Sequence, residues 1–173
     1  MRYLFKAMLA VDSILLLLIV YFTKEQLWIP NAGAFSLLLY FSAPVAISWL
    51  CLKLADKLSK DSIEGEIRDI ELANDSYMPS YLGYFFVALS VPTRDFVTLS
   101  VIFGILLIFL LCSQNLYYNP MFLLFGYKFY YVVNRKGMKI FIISRRTIKS
   151  AERLSFCNLR RINYFTFLDK ETE

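Results

Sequence analysis

The chain has 173 residues, 58% hydrophobic and 17% aromatic, with 19 basic side chains against 14 acidic ones and no histidine. That balance is too apolar for an ordinary soluble domain, and the missing histidine removes the commonest general base and the commonest metal ligand. Cys51, Cys112 and Cys157 sit in apolar runs or on the side expected to face the cytosol, which argues against a disulfide framework.

Four runs are free or nearly free of charge: 7–23, 33–52, 76–93 and 96–127. Crossing a membrane at each run puts seventeen of the nineteen basic residues on one side and leaves Lys24 and Arg94 on the other. The positive-inside rule turns that asymmetry into four transmembrane helices with both termini in the cytosol. The expected spans are about 7–23, 33–52, 77–93 and 96–118, within a membrane domain over 1–125. Charge placed beside membrane ends explains the pI near 9 more simply than nucleic-acid contact does.

In the first span, Arg2 and Lys6 precede the apolar run, and no small-residue cleavage site follows Tyr21-Phe22-Thr23, so a retained anchor is expected. Asp12 is the intramembrane polar residue. It reads as a partly hydrated acid paired with a basic residue of a neighbouring helix, with an ion or proton site as the alternative. Trp28 suits a headgroup anchor, and Pro44 puts a kink in the second span. Ser42 with Ala46, and Ser100 with Gly104, are small-residue pairs that let helices approach. Pro92, Arg94 and Asp95 make the turn of a helical hairpin between the third and fourth spans. Asp95 serves there as an N-cap, and Arg94 reaches for external headgroups.

The cytosolic loop 53–75 holds seven acids and four bases. A helix from Leu54 to Lys60 and an extended segment near 68–73 are expected. After the Asn119-Pro120 helix stop, the tail 126–173 reads as a small β-rich cytosolic cap. Its hairpin pairs 127–133 with 138–144 about Gly137. A third strand is expected at 162–168 and a short helix at 147–154.

No Cys-x-x-Cys pair, phosphate loop or nucleophile elbow is present, so a non-enzymatic protein without cofactor or metal is expected. Arg145, Arg146, Arg160 and Arg161, with Tyr130, Phe141, Tyr164 and Phe165 close in sequence, form the candidate partner-binding set, because interfaces enrich arginine and aromatics. Anionic lipid is the competing ligand for the same residues.

The stretches 119–131 (NPMFLLFGYKFYY) and 74–89 (NDSYMPSYLGYFFVAL), joined to four apolar runs, resemble the KwaA family, the membrane subunits of the bacterial Kiwa anti-phage defence system. That resemblance implies a homo-oligomer, for instance a tetramer, in the inner membrane that senses phage attack at the envelope. It further implies a cytosolic KwaB-like effector as partner, with DNA met only through that partner. A channel or pore-forming effector built around Asp12 or the kinked second helix is the other reading.

Overall fold

A computed structural model describes residues 2–63, 67–74, 78–112, 119–135, 137–151 and 154–171. Helix α1, Arg2–Lys24, is a leucine-rich run with neither glycine nor proline, a composition that favours an unbroken helix. It packs against the three helices that follow: α2 (Phe35–Leu54), α3 (Met78–Ser90) and α4 (Phe96–Cys112). Its buried positions Leu9, Ala10, Ser13, Ile14, Leu17 and Tyr21 recur every three or four residues along the face turned to its neighbours. Pro44 lies buried inside α2, which runs on into a 3-10 turn, Ala55–Lys57. A four-residue helix, α5 (Met121–Leu124), ends at Gly126, whose φ of 77° lets the chain turn into the sheet.

Six strands follow the helices in space: β1 (Lys60–Ile63), β2 (Ile67–Leu72), β3 (Lys128–Asn134), β4 (Lys139–Ser144), β5 (Phe156–Arg161) and β6 (Thr166–Asp169). They form one sheet in the order β1-β5-β6-β4-β3-β2, antiparallel except where β4 runs parallel to β6. The β3–β4 hairpin turns at Gly137 with φ 78°, and Asn134 Oδ1 accepts a 2.9 Å hydrogen bond from the Met138 N–H.

This architecture corrects the expected fold class. Among the described residues only two helices, over Tyr3–Lys24 and Phe35–Lys57, are long and apolar enough to cross a membrane. The described parts of α3 and α4 have 13 and 17 residues, short of the roughly 20 that a span needs. The polar part is a six-stranded mixed sheet that also takes in the 60–72 segment, so it is more than a small cap on four helices.

Local expectations are corrected as well. Helix does not continue to Lys60, which already belongs to β1. The described residues of 147–154 form an irregular connection instead of a helix. Over 162–168 a tight turn comes first: the Ile162 N–H donates 3.0 Å to the Thr166 carbonyl, and the Phe165 N–H donates 2.8 Å to Asn163 Oδ1. Only then does β6 begin, and β5 is a strand that was not expected.

Alternation along β3 sends side chains to two separate cores. Phe129, together with Phe141, Ile143 and Leu168, faces the helix ends, where Phe5, Leu9, Leu52 and Phe122 complete one cluster. Tyr130 and Val132 face the other way, joining Ile140, Ile142, Phe156, Leu159 and Phe167 under Ile148 and Leu154. Each such fully buried side chain contributes about 1.5–3 kcal/mol, so the helix-facing cluster alone is enough to weld the sheet to the bundle. A third cluster, with Leu17, Tyr21, Ala88, Val91 and Leu99, closes the far end of the helices.

Candidate functional site

Asp12 lies on α1 between the sheet-side cluster and the far cluster, and it is fully buried. Ser48 of α2 donates its hydroxyl to Asp12 Oδ2. Asn119, just ahead of α5, brings its side-chain amide to the same oxygen and also donates 2.8 Å to Ser48 Oγ. Asn119 Oδ1 accepts 2.9 Å from the Met121 N–H and starts the turn of α5. Ser48 and Asn119 are themselves fully buried. Three segments distant in the chain thus meet at one carboxylate.

The basic partner expected for Asp12 is replaced by these two neutral donors. Its other oxygen, Oδ1, is buried with no hydrogen-bond partner among the described residues. Polar groups in apolar surroundings favour one another because the alternative is an unsatisfied donor. The cluster therefore fixes the relative positions of α1, α2 and the strap that leads into β3. Ser48 and Asn119 were missed from sequence. Each is one uncharged polar residue within an apolar run, and no spacing links position 48 to 12 or 119.

The four tail arginines take different places. Arg146 is held within the sheet domain: its Nε lies 3.1 Å from Asp169 Oδ2 and its Nη1 2.7 Å from Glu171. Asp169 is buried and also accepts 2.7 Å from Ser144 Oγ. Arg161 Nε donates 2.7 Å to Asp61, tying β5 to β1. Arg160 Nη1 reaches the Leu58 carbonyl at 3.5 Å. Arg145 is exposed, its guanidinium 4.7 Å over the Tyr127 ring. Burial pushes the Tyr127 phenol above its usual range, and Arg145 pulls it the other way.

Tyr130 and Phe141 are interior residues, 2% and 0% exposed, one in each sheet core. Tyr130 spends its hydroxyl internally, donating to the Arg146 carbonyl at 3.0 Å and accepting from the Ile148 N–H at 3.2 Å. The exposed aromatics of the sheet domain are Tyr164 and Phe165, at the β5–β6 turn. This turn lies beside Phe141 near the start of β4, whereas the exposed Arg145 follows the end of that strand.

The far end is ordered by polar contacts. Lys24 donates to the Val91 carbonyl, and Glu25 accepts 3.0 Å from the Arg94 N–H. Asp95 caps α4, accepting 2.9 Å from the Thr98 N–H and 2.6 Å from its hydroxyl. Those hydrogen bonds, led by the Thr98 hydroxyl, hold the Asp95 carboxyl below its usual range. Pro92 and Arg94 shape the turn itself, Arg94 with a positive φ of 56°. Lys24 and Arg94, the two basic residues set apart from the other seventeen, are thus brought to the same end of the molecule.

Among the described residues no three His, Cys, Asp or Glu side chains gather to hold a metal ion. A protein-family model described as "Anti-phage protein KwaA" matches residues 5–168. No curated protein and no solved structure matches the chain.

Proposed function

The chain belongs to the KwaA family of anti-phage proteins, and from that premise we propose that it is a non-enzymatic sensor and scaffold at the bacterial inner membrane. In this reading α1 and α2 cross the bilayer, and both termini and the sheet lie in the cytosol. The protein assembles with copies of itself and detects phage attack at the envelope. It passes the signal to a soluble KwaB-like effector that meets the DNA.

One observation carries the proposal. The sheet is packed directly onto the helix ends, through Phe129, Phe141 and Ile143 against Phe5, Leu9, Leu52 and Phe122. A displacement of α1 or α2 therefore acts on β3 and β4 without a flexible linker between them. Charge supports the orientation, since Lys24 and Arg94 lie at the end away from the sheet and the other described basic residues do not. Asp12 is enclosed by Ser48 and Asn119 of its own chain, which favours a packing seam over a conducting lumen.

Co-purification through a C-terminal tag after mild detergent extraction, run beside phage plating, tests the reading. The expected result is co-elution of a soluble DNA-binding subunit and protection against phage that depends on both proteins. A chain that elutes alone while protection persists would overturn it.

A further inference from the structure

A shallow groove of about 440 Å³ runs along the outward face of α2, between Leu38, Phe41, Trp49 and Phe125. Ser42 and Ala46 make it concave because their side chains are small. The Ser42 hydroxyl is already spent on the Leu39 carbonyl at 2.7 Å, so the concave floor of the groove asks its occupant for no hydrogen bond. An alkyl chain meets that requirement.

The sheet-side end of the groove has the opposite character. The exposed Lys53 sets its ammonium 3.7 Å over the Trp49 ring. Beyond Phe125, the Tyr127 ring carries the Arg145 guanidinium. The nearby acid Asp56 is paired with Lys170 at 3.1 Å, which leaves the cationic end uncompensated by that carboxylate. An ammonium resting on an aromatic face keeps its remaining donors for an anion.

We propose that this groove binds an anionic phospholipid, one acyl chain lying along α2 and the phosphate meeting Lys53. The assignment rests on the membrane reading above and adds a headgroup preference that bulk bilayer contact does not have.

Trp49 is a built-in reporter, since the chain has two tryptophans and Trp28→Phe leaves it alone. The full-length Trp28→Phe protein is reconstituted into phosphatidylcholine vesicles containing brominated phosphatidylglycerol or brominated phosphatidylcholine. Brominated phosphatidylglycerol should quench Trp49 with an apparent preference of about fivefold, the factor that one lysine near an anionic surface contributes. Adding Lys53→Gln should bring the preference close to one. Equal quenching by the two lipids overturns the specific site. No quenching by either lipid, in protein that floats with the vesicles, also overturns it and means that another chain covers the groove. Protein that fails to float with the vesicles refutes the membrane reading itself, a result distinct from loss of headgroup preference.

Discussion

Asn119 and Asp12, 107 residues apart in the chain, share a hydrogen bond in the buried seam between the helices and the sheet. Asn119 opens the short α5 strap, and the strap ends at Gly126, where the chain turns into β3. The carboxylate of α1 is therefore one link from β3. Ser48 brings α2 to the same point. A shift between the two long helices is felt where the sheet is anchored.

Asp12→Ala should loosen this seam. It leaves the buried Asn119 amide and Ser48 hydroxyl one acceptor short, which costs about 1–3 kcal/mol. Asp12→Asn keeps an acceptor oxygen and should cost less. Thermal melting in mild detergent ranks the two variants against wild type, and phage plating should show protection falling with Ala before it falls with Asn. Wild-type melting in Asp12→Ala would show that the seam is dispensable.

Arg146 and Arg161 should behave unlike each other. Arg146→Ala strands the buried Asp169 with only Ser144 and local backbone for company. A loss of about 3 kcal/mol is expected, the lower end of what breaking a buried pair costs. Arg161 pairs with Asp61 at a 41% exposed side chain, where removal costs under about 1 kcal/mol. Urea titrations of the two alanine variants, followed by circular dichroism, would show the difference; equal midpoints would refute it.

Asp95 gives the far end a dependence on pH. Its carboxyl is held below the usual 3.8, chiefly by the Thr98 hydroxyl and N–H. A depressed pKa contributes stability above the ordinary carboxyl value, and that stability is lost as pH falls through the folded value. Melting measured from pH 7 down to pH 3 should therefore show wild type above Asp95→Asn near neutrality, with the gap closing at the acid end. A constant gap would mean that the cap acts through shape alone.

Arg145 should separate binding from stability. Arg145 is exposed and stacks on Tyr127, a contact worth about 0.5–1 kcal/mol at such sites. Arg145→Glu should leave melting nearly unchanged. Recovery of the cytosolic effector on a tagged chain should fall at least severalfold. Undiminished recovery would place the docking surface elsewhere.

Several elements could be read directly from residues. The β3–β4 hairpin was legible because Tyr127–Val133 and Met138–Ser144 are dense in β-branched and aromatic residues about a glycine turn. The Asp95 cap was legible because capping is local. β1 and β5 were not, since Lys60-Asp61-Ser62-Ile63 and Phe156–Arg161 are rich in polar residues, and the pairing that joins them links segments about 100 residues apart. Apolar composition alone overstated the membrane part, because it does not distinguish a spanning helix from α3 and α4, whose described parts are shorter and which pack on α1. The Asp12 site was half legible: a carboxylate in an apolar run stands out, whereas its partners are settled by tertiary packing.

The strand order has a geometric consequence. β1 and β2 are the two outermost strands, yet Ile63 and Ile67 are four residue steps apart in the chain. Laid flat, five inter-strand gaps would separate them by about 24 Å, whereas four steps reach about 14 Å at most. The sheet must curl until its borders approach, toward a half-closed barrel lined by Ile63, Ile67, Val132, Ile142, Phe156 and Phe167. A sheet rolled in this way offers little free border for an incoming strand. Recognition is left to side chains standing on its rim.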